Sequence, residues 1–385
     1  MKKKLHPNAI SRPVDRRSFL KGSLLAGGAA MGAGLLTTGT LTRAQAQTQT
    51  SGPLNKGDIA ILRFLAAAEL IEADLWTQYA ELGGIGTNGP IEVNPTQTLN
   101  NYQLALSNLD SDGPQYISSN TLDEVSHATF LNAYLESRGG EPVNFDEFRT
   151  LPGSTATGST GIGRLTNLLN LDVDTSWFVR YRSETNPDLG ATFPQAINLK
   201  GVTAIPRTDA DFGIIDPTFG VPGNAHIQAI ANVAAFHFGY IEQGGSSLYA
   251  SLIQKATDLE LVKLMFGIGG DEVAHFLEWV DFAGNAVQPS VAPFTDAESG
   301  LTFPNFFNPL NPLIQPSLIF PVPTEFKRNL PPVSIIRPLT DKFGGAVATI
   351  KSFTADGLFI GQSQRFLNEL QAMAVAADSA VRLAP

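Results

Sequence analysis

Glu124-Val125-Ser126-His127 and Glu272-Val273-Ala274-His275 are one four-residue device, Glu-x-x-His, written twice in long segments of apolar periodicity. Residues three apart share a face of an α-helix, so each segment aims a carboxylate and an imidazole at one point. Those two donor types suit iron, manganese or zinc. A lone Glu-x-x-His is commonplace on solvated helices, where it is a surface charge beside a surface or capping histidine. Two copies carry more weight. Beyond residue 46 the chain holds four histidines, His127, His226, His237 and His275, and two of them sit in this device.

Two such helices, plus one inward glutamate from each of two others, complete the ligand set of a dinuclear carboxylate site. Both further glutamates occur in order. Glu69 lies in Ala68-Glu69-Leu70-Ile71-Glu72, upstream of the first device, and Glu242 follows Tyr240-Ile241 between the two. Glu72 stands one turn from Glu69 on nearly the same face, so either can be the first-helix ligand. His237, five residues before Glu242, falls off that face and reads as a packed core histidine.

The elements that must carry these residues follow from periodicity and punctuation. Helices are predicted at about 58–82, 98–138, 224–256 and 258–283. Asp58 is expected to cap the first, Gly113-Pro114 to break the second, Gly139-Gly140 to end it and Gly284-Asn285 to end the fourth. Residues 141–222 are rich in Pro, Gly, Ser and Thr, far longer than an ordinary helix connection. They hold a helical candidate at Ile162–Leu171 and an aromatic-basic patch, Trp177-Phe178-Val179-Arg180-Tyr181-Arg182, expected to pack this insertion onto the helices. Residues 286–385 form a proline-rich extension that ends in an amphipathic helix predicted over 356–383. The expected class is all-α: a four-helix bundle with a long crossover insertion.

At 385 residues and 43% hydrophobic content the chain can bury a large core. It has no cysteine, which excludes disulfides, thiolate zinc sites and iron–sulfur centres. Residues 1–46 read as an export signal: Arg16-Arg17-Ser18-Phe19-Leu20-Lys21, then an uncharged small-residue stretch from Ser23 to Leu41, then Ala44-Gln45-Ala46 as a cleavage site. Residues 47–57 are a polar linker. The apolar stretch is Gly/Ala/Thr-rich and ends at a cleavage signal, so removal is expected in preference to a membrane anchor. Without residues 1–46 the chain keeps 18 basic against 35 acidic residues, a net charge of −17. Such a surface repels phosphate backbones and argues against nucleic-acid binding.

With these residues in place, the chain resembles the ferritin-like superfamily, and more narrowly the exported bacterial ferritin-like-domain proteins related to plant desiccation-associated proteins. The resemblance covers residues 58–138 and 224–285, and extends to Trp76 seven residues after Glu69 and to Arg138-Gly139-Gly140 after the second helix. It implies two divalent ions, iron or manganese with zinc admissible, held by Glu69, Glu124, His127, Glu242, Glu272 and His275. Glu124 and Glu272 would bridge, Glu69 and Glu242 would bind one ion each, and each histidine would add one nitrogen. Trp76 cannot serve as a phenol near the metal, and the second Glu-x-x-His fits iron storage poorly. Gly244-Gly245 either loosens the third helix beside the site or lets two helices approach.

The twin arginine of residues 1–46 resembles a bacterial Tat signal, so a periplasmic or secreted protein exported by the twin-arginine (Tat) machinery is expected. Its other expected partners are further copies of this chain, as a homo-oligomer, with no stable membrane insertion once the signal is gone. Three functions stand open at this level. One is a redox enzyme acting on oxygen or peroxide, a di-iron oxidase or a manganese catalase-like protein. The second is a non-catalytic metal-binding stress protein, and the third a structural or partner-binding bundle of the cell envelope.

Overall fold

The computed structural model describes residues 52–85, 98–175, 177, 198–213, 226–286, 294–303, 321–322, 329, 333–334 and 344–382. The expected export signal, residues 178–182 and most of the proline-rich stretch lie outside them. Within them the fold is predominantly helical. The helices are α1 (Lys56–Gly83), α2 (Asn101–Leu109), α3 (Gly113–Ser137), α4 (His226–Leu252), α5 (Leu259–Ala286), α6 (Ala346–Ala355) and α7 (Gln364–Asp378). Three small antiparallel pairs join them: β1 (Leu171–Val173) with β2 (Leu199–Val202), β3 (Phe294–Thr295) with β4 (Thr302–Phe303), and β5 (Pro321–Val322) with β6 (Val333–Ser334). Helix α1 lies along α3 and α4 lies along α5, while α2 packs on α4 and α7 on α1.

Four local expectations are corrected. Asp58 does not cap α1; the Asn55 side chain does, accepting the amides of Gly57 at 2.8 Å and Asp58 at 2.9 Å. The Asp58 carboxylate instead accepts the amides of Thr257 at 2.8 Å and Asp258 at 3.0 Å. It therefore ties the start of α1 to the residues that lead into α5. Gly284-Asn285 does not end α5, which continues to Ala286. Ile162–Leu171 is not helical: Arg164 bridges to Leu151 and Leu171 starts β1, because its backbone partners lie across the chain instead of one turn away. The helix predicted over 356–383 is shorter, Gln364–Asp378, since Gly357 at φ 88° and Gly361 at φ 92° take a left-handed conformation that helix cannot use; a separate helix, α6, ends just before them.

The predicted break at Gly113-Pro114 is real: α2 ends at Leu109 and α3 begins with that dipeptide at its first turn. Two contacts illustrate how the segment between α3 and α4 is held to the helices. Asp74, buried on α1, accepts the amides of Leu165 and Thr166 at 3.0 Å each and the Thr166 hydroxyl at 2.7 Å. Trp177 donates its indole N–H to the Phe236 carbonyl at 2.9 Å and lies against Gly239, where a Cβ would sit 2.4 Å from the ring. Trp177, the member of the patch among the described residues, thus packs onto α4.

Candidate metal centre

Four long helices converge on one polar interior. Glu69 and Glu72 come from α1, Glu124 and His127 from α3, Glu242 from α4, and Glu272 and His275 from α5. All seven are buried, with Glu124, Glu242 and Glu272 fully so. Helical spacing does the aiming: within α3 and within α5, the carboxylate and imidazole stand one turn apart on the inner face.

The six residues expected to act together are brought together. Nδ1 of His127 lies 3.5 Å from Glu69, 3.5 Å from Glu124 and 3.6 Å from Glu272. Nδ1 of His275 lies 3.2 Å from Glu124 and 3.4 Å from Glu242. The result is two adjacent donor groups, Glu69–Glu124–His127–Glu272 and Glu124–Glu242–His275, each with ligand atoms within 4.8 Å of one another. Glu124 belongs to both, whereas Glu272 joins the His127 group alone. Of the two α1 glutamates, Glu69 is the one within reach of an imidazole. Glu72 points its charge into the same interior, where the fields of Glu124, Glu69 and Glu242 act on it.

The donor atoms are left unsatisfied. Oε2 of Glu69, Glu72, Glu124 and Glu242, both carboxylate oxygens of Glu272, and Nδ1 of His127 and His275 are buried with no hydrogen-bond partner. Native interiors pair nearly all such atoms, so eight in one place mark a group that positive charge, as protons or as metal ions, could satisfy. Position 245 adds a sign of deliberate space: a Cβ on Gly245 would lie 2.0 Å from Oε2 of Glu272. Glycine there lets α4 admit a carboxylate from α5. Buried Glu/His groups of this geometry can hold metal ions.

Electrostatics agree. Burial pushes Glu72 and Glu272 well above the ordinary carboxylate range, and the charge on Glu124 adds to it. Glu124 is pushed up to about 7 by burial and by Glu242, against the pull of His127 and His275. Burial works to lower His127, yet Asp271, Glu124 and Glu69 outweigh it and push the imidazole up to about 12. His275 is raised in the same way by Glu242, Asp123 and Glu124 against burial. The carboxylates thus draw in positive charge, as protons where no metal is bound; a metal ion would release those protons on binding.

A shell of further side chains, missed by the sequence reading, fixes the donors. Asn120 donates to Glu124 at 2.9 Å and Glu242 at 3.2 Å, and its own carbonyl accepts the Trp279 indole N–H at 2.7 Å. Trp279 stacks on Trp76 with ring centres 5.4 Å apart, which gives Trp76 its place beside the centre. Tyr249 donates its hydroxyl to Glu69. Asp271 lies 3.2 Å from Nε2 of His127, and Asp123 lies 3.4 Å from Nε2 of His275. The available signal for the aspartates was position, since each directly precedes a motif glutamate. His237 is off the site, as expected: its ring nitrogens meet the Tyr79 hydroxyl at 2.6 Å and Asp356 at 3.0 Å.

Outside His127 an apolar groove of about 610 Å³ is lined by Leu122, Val125, Phe130, Leu264 and Ile268. Among the described residues no helix is long and apolar enough to cross a membrane. The chain matches no protein-family model, no curated protein and no solved structure.

Proposed function

We propose that this chain is an exported ferritin-like protein that holds two divalent ions, iron or manganese, and acts on oxygen or peroxide. The observation that carries this reading is the set of eight unpartnered buried donor atoms on Glu69, Glu72, Glu124, His127, Glu242, Glu272 and His275. Glu69, His127 and Glu272 would hold one ion, Glu242 and His275 the other, and Glu124 would span the pair. Two ions so held supply Lewis acidity and redox electrons to a small oxidant. The residues around them do the rest. Asn120 keeps Glu124 and Glu242 oriented, Tyr249 restrains Glu69, and the two aspartates keep Nδ1 of each imidazole turned inward.

The apolar lining of the groove beside His127 favours a small neutral oxidant over a charged metabolite. Export rests on the twin arginine and the cleavage motif of residues 1–46, so replacing Arg16 and Arg17 by lysine should leave the precursor in the cytoplasm. The central test is metal analysis of the exported protein, and of stripped protein reloaded anaerobically with ferrous iron or with manganese. Two ions per chain are expected. Retention of no ion above trace level under either loading would sink the proposal.

A further inference from the structure

We infer that His226, Asp211 and Glu298 form a separate mononuclear site for a divalent cation of the zinc type, remote in sequence from both Glu-x-x-His devices. His226 opens α4, Asp211 belongs to the segment between α3 and α4, and Glu298 follows β3 in the extension. Nε2 of His226 lies 4.0 Å from Asp211 and 3.7 Å from Glu298, and the three donors stand within 4.8 Å of one another. Two ligand atoms each about 2.1 Å from one ion lie roughly 3 to 4.2 Å apart, so both separations fit a shared ion.

The tautomer supplies the second, independent argument. Asp296, itself buried, faces Nδ1 of His226 at 2.9 Å. Its carboxylate can only accept, so Nδ1 carries the proton. Asp296 is held in that role by the amides of Glu298 at 3.2 Å and Ser299 at 3.0 Å. On the other side of the ring Nε2 faces two carboxylates, and that nitrogen is buried without a hydrogen-bond partner. A divalent ion between the three groups would satisfy all of them at once. Histidine ligands of metal ions are braced in this way, with the remote N–H given to a carboxylate.

Charge closes as well. Asp211, Asp296 and Glu298 bring three negative charges, and Arg207 brings one positive, holding Oδ2 of Asp211 at 3.0 Å and touching Oδ1 at 3.2 Å. One divalent ion makes the group neutral. Such an ion would pin the start of α4 to both of the long segments that flank the helices. The competing arrangement is a protonated His226 clamped by the same carboxylates, which needs no metal.

The test is zinc titration of the full chain after chelator stripping and dialysis. The wild type should bind one more zinc per chain than His226→Ala, and Glu298→Gln should weaken that zinc about tenfold or more. The double variant His127→Ala/His275→Ala should keep this zinc, which separates the site from the dinuclear proposal. Equal zinc stoichiometry in wild type and His226→Ala overturns the inference. Glu298 is 64% exposed, so its replacement spares the fold. Should His226→Ala fail to fold, unchanged zinc affinity in Glu298→Gln overturns the inference instead.

Discussion

Asp271 on α5 lies 3.2 Å from Nε2 of His127 on α3. The relation is returned: Asp123 on α3 lies 3.4 Å from Nε2 of His275 on α5. Each helix therefore braces the imidazole of the other, and the repeated unit is five residues long, Asp-Glu-Val-x-His. Crossed bracing holds both rings with Nδ1 facing inward.

If these contacts orient the donors, Asp123→Ala and Asp271→Ala should each lower metal affinity by about 10- to 100-fold while leaving the stoichiometry at two. Competition with a chromophoric chelator measures this. Unchanged affinity in both variants would make the aspartates ordinary surface charges.

Gly245→Ala separates metal binding from folding. Alanine is the better helix former by roughly 1 kcal/mol, so the backbone tolerates it. Its Cβ, however, would lie 2.0 Å from Oε2 of Glu272. The flexible carboxylate is what must yield. The variant should fold with a melting temperature in chelator at or above that of the wild type, yet lose the stabilisation that metal confers. Full metal-dependent stabilisation in Gly245→Ala would show that Glu272 does not need that space.

The long helices and their inward donors were legible because apolar periodicity and i, i+3 spacing are local. The ends were not. Asp58 looks like a cap in sequence, but Asn55 takes that role and Asp58 serves amides 199 and 200 residues away. Ile162–Leu171 has helix-like composition, yet its amides are claimed by Asp74 of α1 and by Leu151, contacts no local pattern encodes. The choice between Glu69 and Glu72 also needed three dimensions. Both side chains turn inward, and the 3.5 Å approach of Glu69 to His127 and its hydrogen bond from Tyr249 distinguish them. Tyr249 was invisible for the same reason, since it acts across to another helix, as was the reach of Asn120 to Glu242.

Asp58 offers a purely structural check. Its carboxylate satisfies the amides of Thr257 and Asp258. Asp58→Ala leaves both without that partner and should cost about 2–4 kcal/mol in urea unfolding, with metal stoichiometry unchanged. Asp58→Asn keeps one acceptor oxygen and should fall between. A loss below about 0.5 kcal/mol in Asp58→Ala would mean that water replaces the carboxylate without penalty.

The last prediction couples metal to stability. The interior of Glu69, Glu72, Glu124, Glu242 and Glu272 is self-repelling, and Glu72 and Glu272 resist ionisation because burial and neighbouring charge oppose it. A bound cation relieves that repulsion in the folded state alone, so metal should stabilise by mass action, about 2.7 kcal/mol at a free concentration 100 times Kd. Chelation should accordingly lower the wild-type melting temperature by several degrees or more. His127→Ala/His275→Ala removes the imidazole of each donor group and should abolish most of that shift. The single variants should each keep part of it, because Glu124 belongs to both groups. Scanning calorimetry with iron, manganese and chelator reads all four proteins on one scale. If the double variant and the wild type respond to metal alike, the imidazoles are not donors, and the seven buried side chains are a polar interior neutralised by protons alone.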